Sequence, residues 1–265
     1  MNTNNLKLNS TTESNCWAIV PAAGVGSRVG SSIPKQYLTL NGIPVIEHSL
    51  RTLLATDWIS NIVVAISEFD QHWKELSISK DPRIITVLGG KERPDSVINA
   101  LSYIGQHTES SVEGSSQKQY VLVHDAARPC LTSDDLALIR LEMPTAKAGL
   151  LLADKLADTI KLADDSLEVT KTVPREGLWR ALTPQVFSLD LLIKALSAAY
   201  ANSAKQSMMA ITDESSAVEA MGLNPLLIQG RSDNIKITKA DDLLLASYIL
   251  KAQTTNATNA KKGMQ

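Results

Sequence analysis

Aromatic residues are scarce in this chain, at 4%, and only two cysteines occur among its 265 residues. Neither Cys16 nor Cys130 belongs to a Cys-x-x-Cys pair, which excludes a disulfide framework or a zinc scaffold and fits a reduced, intracellular setting. An excess of either charge is also lacking: 26 Lys and Arg stand against 28 Asp and Glu, a formal net charge of −2. No overall field therefore draws the protein to nucleic acid or to a membrane surface. An anionic ligand has to be held by local cations and backbone N–H groups. No apolar run approaches the ~20 residues that cross a bilayer. Residues 1–15 are polar, rich in Asn, Ser and Thr, and have no apolar h-region, so a disordered tail is expected there and not a secretory leader. A cytoplasmic protein is the default expectation.

Hydrophobic residues at 44% and charged residues at 20% are those of an ordinary globular protein. The length supports a sizeable core. Four short runs are apolar and rich in β-branched residues: Trp17 to Val20, Ile62 to Ile66, Ile84 to Leu88 and Tyr120 to Val123. They are continuous, not alternating, which predicts strands buried on both faces. Between them Ile46, Leu50, Leu53 and Leu54 form a helical stripe behind Pro44. Val97, Leu101 and Ile104 form another behind Asp95-Ser96, and Leu136, Ile139 and Met143 a third behind Thr132-Ser133-Asp134. Strands alternating with helices predict a Rossmann-like α/β fold, with a mainly parallel sheet and helices on both faces. Ala148 to Ala153 adds a strand.

From Asp158 to about Arg175 the pattern becomes alternating, with a turn at Asp164-Asp165-Ser166, and predicts an inserted β-hairpin. A lone hairpin is marginal in water, so a second subunit is expected to cover this arm, at about 155–177. Beyond it the pattern predicts a strand over Leu178 to Thr183 and a helix over Leu189 to Tyr200. A helix from Asp213, a strand over Pro225 to Gln229 and a last helix over Asp241 to Lys251 complete the order. One domain over 16–251 and a flexible tail over 252–265 are expected.

The first buried run opens into Pro21-Ala22-Ala23-Gly24-Val25-Gly26-Ser27-Arg28-Val29-Gly30. Loops in that position bind ligands in open α/β sheets, and small residues let N–H groups approach a phosphate. The dinucleotide fingerprint fails here because Val29 stands where its third glycine belongs, and Walker A fails because Ser31-Ser32 follow Gly30. A tight packing turn would use the same glycines, but Arg28 within the loop and Lys35 just after Pro34 are the cations a reacting triphosphate needs. Gly89-Gly90 follow the third run and permit close approach to a base or phosphate. Ser96 reads first as a cap of the next helix, or as a nucleotide contact. The fourth run ends in His124-Asp125-Ala126-Ala127-Arg128. Asp125 is badly placed there unless a cation, a metal or a sugar hydroxyl meets it. Arg128 has two uses open, pairing with Asp125 or holding a phosphate, and His124 reads as a hydrogen-bonded structural residue.

Seven motifs occur in register: Pro-Ala-Ala-Gly-x-Gly-x-Arg, Pro-Lys-Gln-Tyr, Gly-Gly-x-x-Arg-x-x-Ser, Val-His-Asp-Ala-Ala-Arg-Pro, Leu-Thr-Pro-Gln, Ile-Thr-Asp-Glu and Asp-Asn-Ile-Lys. Together they closely resemble the 2-C-methyl-D-erythritol 4-phosphate cytidylyltransferases of non-mevalonate isoprenoid synthesis. The resemblance runs from Trp17 to about Leu250. It implies transfer of CMP from CTP to methylerythritol phosphate with Mg²⁺. Ala22, Ala23, Gly24 and Gly26, with Gly89, Ser96 and Asp125, would hold the nucleotide, and Arg28 and Lys35 would stabilise charge at the α-phosphate. Asp125, Thr183, Thr212 and Lys236 would line the acceptor pocket. The hairpin resembles the family's dimerisation arm, and Asp158, Thr159 and Arg175, with Arg128, would reach a neighbour's site. A single carboxylate, Asp125, in place of the Asp-x-Asp of related nucleotidyltransferases, leaves the metal mainly on the triphosphate. A cytidylyltransferase for another polyol phosphate, such as ribitol 5-phosphate, shares these loops. A non-catalytic nucleotide-binding protein is the remote alternative, and a nicotinamide dehydrogenase is disfavoured by the failed glycine spacing and by Ser67.

Overall fold

The computed structural model describes residues 16–24, 33–108, 118–203 and 211–262. The 1–15 tail, Gly26 and Arg28 lie outside them. Strand β1 (Cys16–Pro21) is followed by a small ribbon, β2 (Thr39–Leu40) and β3 (Ile43–Pro44). Helix α1 (Val45–Leu54), β4 (Ile59–Ile66), β5 (Ile84–Leu88), α2 (Arg93–Thr108), β6 (Tyr120–Val123), α3 (Ser133–Glu142) and β7 (Leu150–Lys155) come next. The second part holds β8 (Ile160–Ala163), β9 (Val169–Val173), β10 (Trp179–Ser188), α4 (Leu189–Ser203), α5 (Glu214–Glu219), β11 (Leu226–Gln229) and α6 (Ala240–Lys262).

Among the described residues seven strands form one sheet in the order β11-β7-β10-β6-β1-β4-β5. β10 alone runs antiparallel to its neighbours β6 and β7; the other pairs are parallel. Successive side chains of one strand point to opposite faces, and the core divides accordingly. Ala18, Val20, Val64 and Leu122 pack with Leu50 of α1 and Ile139 of α3. On the other face Ile19, Val63 and Val121 pack with Leu101 of α2 and Leu192 of α4. The result is a helix–sheet–helix sandwich, as the strand–helix alternation predicts. Among the described residues β8 and β9 pair only with each other, as the inserted hairpin.

Three expectations on elements need correction. β5 is an edge strand, and Leu88 on it is 59% exposed, because one flank has no partner strand and α2 covers only one face. β10 does not stop at Thr183 but continues to Ser188, across a register shift between Ala181 and Gln185. α6 runs past Lys251 to Lys262. No proline or glycine interrupts that stretch, and its Ala, Gln and Lys favour helix although its Thr and Asn do so only weakly.

Candidate active site

The chain leaves β1 for β4 and β5 on one side and returns to β6 on the other, so the sheet order reverses between β1 and β6. Open α/β sheets bind ligands at that reversal, beyond the carboxyl ends of the strands. There a cleft opens, floored by Ala22, Ala23 and Gly24 after β1 and by Asp125 after β6, with Lys35 and Lys236 on its walls.

The second loop is fitted tightly against the first. A Cβ on Gly89 would lie 2.3 Å from Cβ of Ala23 and 2.9 Å from Oγ of Ser96. Only glycine lets the ends of β1 and β5 approach this closely. Ser96 does not cap α2, which starts earlier, at Arg93. Its buried Oγ instead accepts from the Gly90 N–H at 3.0 Å and donates to the Glu92 carbonyl at 3.4 Å, holding the glycine loop in shape.

Asp125 is 6% exposed and lies among three cations. Its Oδ1 accepts from Arg93 Nε at 2.9 Å. Its Oδ2 meets Lys236 Nζ at 2.8 Å and lies 3.6 Å from Arg128 Nε. Burial alone would raise this carboxyl, but the charges of Arg93 and Lys236 overcome it and hold Asp125 far below the usual carboxylate range. Arg93 also forks onto buried Glu214, at 2.6 and 3.0 Å. Burial pushes the Glu214 carboxyl up, and Arg93 partly offsets that.

His124 is fully buried and spent on structure, as the sequence suggests. The Arg128 carbonyl can only accept, so Nε2, at 3.1 Å, carries the proton. Nδ1 then accepts from the Thr183 hydroxyl at 3.0 Å, and that oxygen accepts from the Asp125 N–H at 3.1 Å. Burial lowers the imidazole to about 4. Asn234 donates to the Thr183 carbonyl at 2.8 Å and accepts, through its own carbonyl, from Arg128 Nη1 at 2.7 Å. Arg128 is thus turned inward within its own chain and buried, where the resemblance sends it towards a neighbour.

Lys35 opens a short 3₁₀ turn (Lys35–Tyr37), and its amine donates to the Ile237 carbonyl at 3.3 Å. The other residues named from the sequence are spread more widely. Thr212, exposed, directly precedes Asp213, the N-cap of α5. Asp158, Thr159 and Arg175 lie exposed on the arm, where Arg175 Nη1 donates to the Ala157 carbonyl, and none of them lines the cleft. Sequence reasoning gave no role to Gln36, Arg93, Glu214 or Asn234. A signal was present for each, since all four sit inside the shared motifs, and Glu214 directly follows a helix N-cap.

Among the described residues no group of three or more His, Cys, Asp or Glu is placed to hold a metal. Both Asp125 oxygens are already engaged by cations. This donor set suits Mg²⁺ carried on a triphosphate, not a cage built by the protein.

Comparison with known proteins agrees with this geometry. The family model described as IspD, 2-C-methyl-D-erythritol 4-phosphate cytidylyltransferase, matches residues 16–252. The enzyme of that name from Aliivibrio fischeri is 45% identical over 240 residues, covering 91% of this chain and 95% of its own. A crystal structure of 4-diphosphocytidyl-2C-methyl-D-erythritol synthase superposes with a TM-score of 0.73 at 32% identity, over 89% of this chain and 98% of that one. The Francisella tularensis enzyme does so at 0.71 and 33%, over 89% and 100%. With a cleft at the sheet reversal lined by residues of four of the seven motifs besides Lys236, and with the family model matching residues 16–252, the chain belongs to the 2-C-methyl-D-erythritol 4-phosphate cytidylyltransferase family.

Proposed function

We propose that this protein transfers CMP from CTP to 2-C-methyl-D-erythritol 4-phosphate, giving 4-diphosphocytidyl-2-C-methyl-D-erythritol and pyrophosphate for isoprenoid synthesis. The observation that carries this reading is the cation cluster beyond β1 and β6. Arg93, Arg128 and Lys236 outnumber the carboxylates of Asp125 and Glu214 they are paired with, and Lys35 stands close by.

An oxygen of the acceptor's 4-phosphate attacks the α-phosphorus in line, and the bond to the β-phosphate oxygen breaks as pyrophosphate leaves. A phosphate monoester has its second pKa near 6, so the nucleophile is already ionised at neutral pH and no general base is required. That agrees with His124, whose two ring nitrogens are both committed to hydrogen bonds. The chain's work is positioning and charge stabilisation. Ala22, Ala23, Gly24, Gly89 and Ser96 seat the nucleotide, with Gly26 from the neighbouring segment. Lys35, together with Arg28, meets the charge that grows on the α-phosphate. Asp125 orients Lys236 at the acceptor side, beside Thr183, Thr212 and Arg128. CTP would enter as its Mg²⁺ complex, since the described residues form no carboxylate cage for the ion; bound there, Mg²⁺ would supply positive charge to the phosphates, beside Lys35 and Lys236 of this chain.

The protein acts as one domain over 16–251, in the cytoplasm, as a homodimer. The arm supports the dimer reading: Leu162, Leu167 and Val169 on it are 49%, 87% and 61% exposed, and a second chain would cover them. Asp158, Thr159 and Arg175 would then reach the partner's acceptor. Pyrophosphate release from CTP tests the reading, with methylerythritol 4-phosphate and ribitol 5-phosphate supplied in parallel. Turnover with the first and little with the second is expected; turnover with neither, or preference for ribitol phosphate, would contradict it.

A further inference from the structure

The side chain of Gln36 is 4% exposed, yet it is polar, borders the cleft and follows Lys35 directly. Its amide nitrogen donates to the Ala22 carbonyl at 2.7 Å and to the Gly24 carbonyl at 3.1 Å. A primary amide has two N–H donors, and both are spent on the nucleotide loop. The Ala22 N–H is tied to the Ala65 carbonyl at 2.7 Å, so the loop is fastened to the sheet on one side and to Gln36 on the other. Across a planar trans peptide the C=O and the following N–H point in opposite directions. The bond from Gln36 to the Ala22 carbonyl therefore turns the Ala23 N–H away from Gln36.

The turn that carries Gln36 is anchored from the far side as well. The Tyr37 hydroxyl donates to Asp70 Oδ2 at 2.6 Å, and Asp70 Oδ1 accepts from the N–H groups of His72 and Trp73 at 2.9 and 2.8 Å. Trp73 in turn donates to Thr86 of β5 at 2.9 Å. The residue after Lys35 is tied to the loop, and Tyr37 links the same turn to the sheet, so the point from which the Lys35 side chain starts is set against both.

We infer that Gln36 is a positioning residue of the transfer reaction: its amide sets Lys35 in register with the nucleotide loop, so that the cation meets the α-phosphate of a nucleotide seated on Ala22–Gly24. The inference rests on the cytidylyl-transfer reading above. It does not make Gln36 a contact of the substrate; the effect of Gln36 passes through Lys35.

A double-mutant cycle on the full chain separates that role from a merely structural one. Gln36→Met keeps the stem and removes both donors. It should lower kcat by about 10–100-fold, the cost of misplacing a reacting group by a fraction of an ångström to one ångström, with KM for CTP shifted by roughly threefold or less. In a Lys35→Ala background the same change should have almost no further effect on kcat. Gln36→Leu serves in the same cycle if Gln36→Met does not fold. Full additivity of the two losses, or a Gln36 variant with the kcat of active wild type, would overturn the role of Gln36 alone. Wild type that releases no pyrophosphate would overturn the function and, with it, this inference.

Discussion

Asp125 stands at the end of a fully buried strand, where a lone carboxylate would be expelled or protonated. It persists because Arg93 and Lys236 each hold one of its oxygens, and Arg93 is shared with Glu214. Removing one member of such a group is costly, since the remaining buried charges lose their partner. Arg93→Met should therefore cost about 3–5 kcal/mol in denaturant unfolding; a cost below about 1 kcal/mol would show that the group is solvated and loose. His124 gives a separate, pH-dependent test. Its value in the fold, about 4, lies below the ordinary 6.5, so the unfolded chain takes up this proton first as the pH falls. The stability it contributes is intact above about pH 6.5 and is lost as the pH drops towards 4. Between pH 7 and 4.5 wild type should lose about 2–3 kcal/mol more than His124→Gln. Equal losses would contradict the neutral, doubly bonded imidazole.

Among the elements, the arm behaves least like the rest. Among the described residues β8 and β9 pair only with each other, and they expose apolar side chains. Replacing residues 160–173 by a tight turn should leave the thermal unfolding of the sandwich largely intact, convert a dimer to a monomer in light scattering, and abolish turnover. Wild type that is monomeric would remove the arm's proposed purpose. The arm was legible in the sequence because alternation over Thr159–Leu162 and Val169–Val173 contrasts with the continuous runs before it. The extent of β10 was not, because a strand reversed between β6 and β7 and shifted in register near Thr183 leaves no periodic trace. β5 was misread for a related reason: Ile84 to Leu88 is as apolar as a central strand, and only the topology puts it at an edge. In the cleft, single residues at strand ends could be named from the chain, whereas the pairings Arg93–Glu214 and Asn234–Thr183 join residues 121 and 51 positions apart. Long-range partners of that kind have no local signature.

At the scale of the whole molecule, a near-neutral chain sets Lys35, Arg93, Arg128 and Lys236 close together at one end of one sheet. The reversal of strand order between β1 and β6 places the glycine loops and the Asp125 group around the same opening. A nucleotide bound there meets local fixed positive charge in a chain whose net charge is only −2, so the attraction does not depend on an overall positive charge. On this reading the transfer is catalysed by positioned cations, with no general base. Steady-state kinetics of Lys35→Ala with CTP and methylerythritol 4-phosphate test it most directly. A fall in kcat of about 10²–10³-fold is expected, comparable to losing one charge-stabilising donor, with KM for CTP changed only several-fold. An unchanged kcat, or a loss confined to KM, would contradict it.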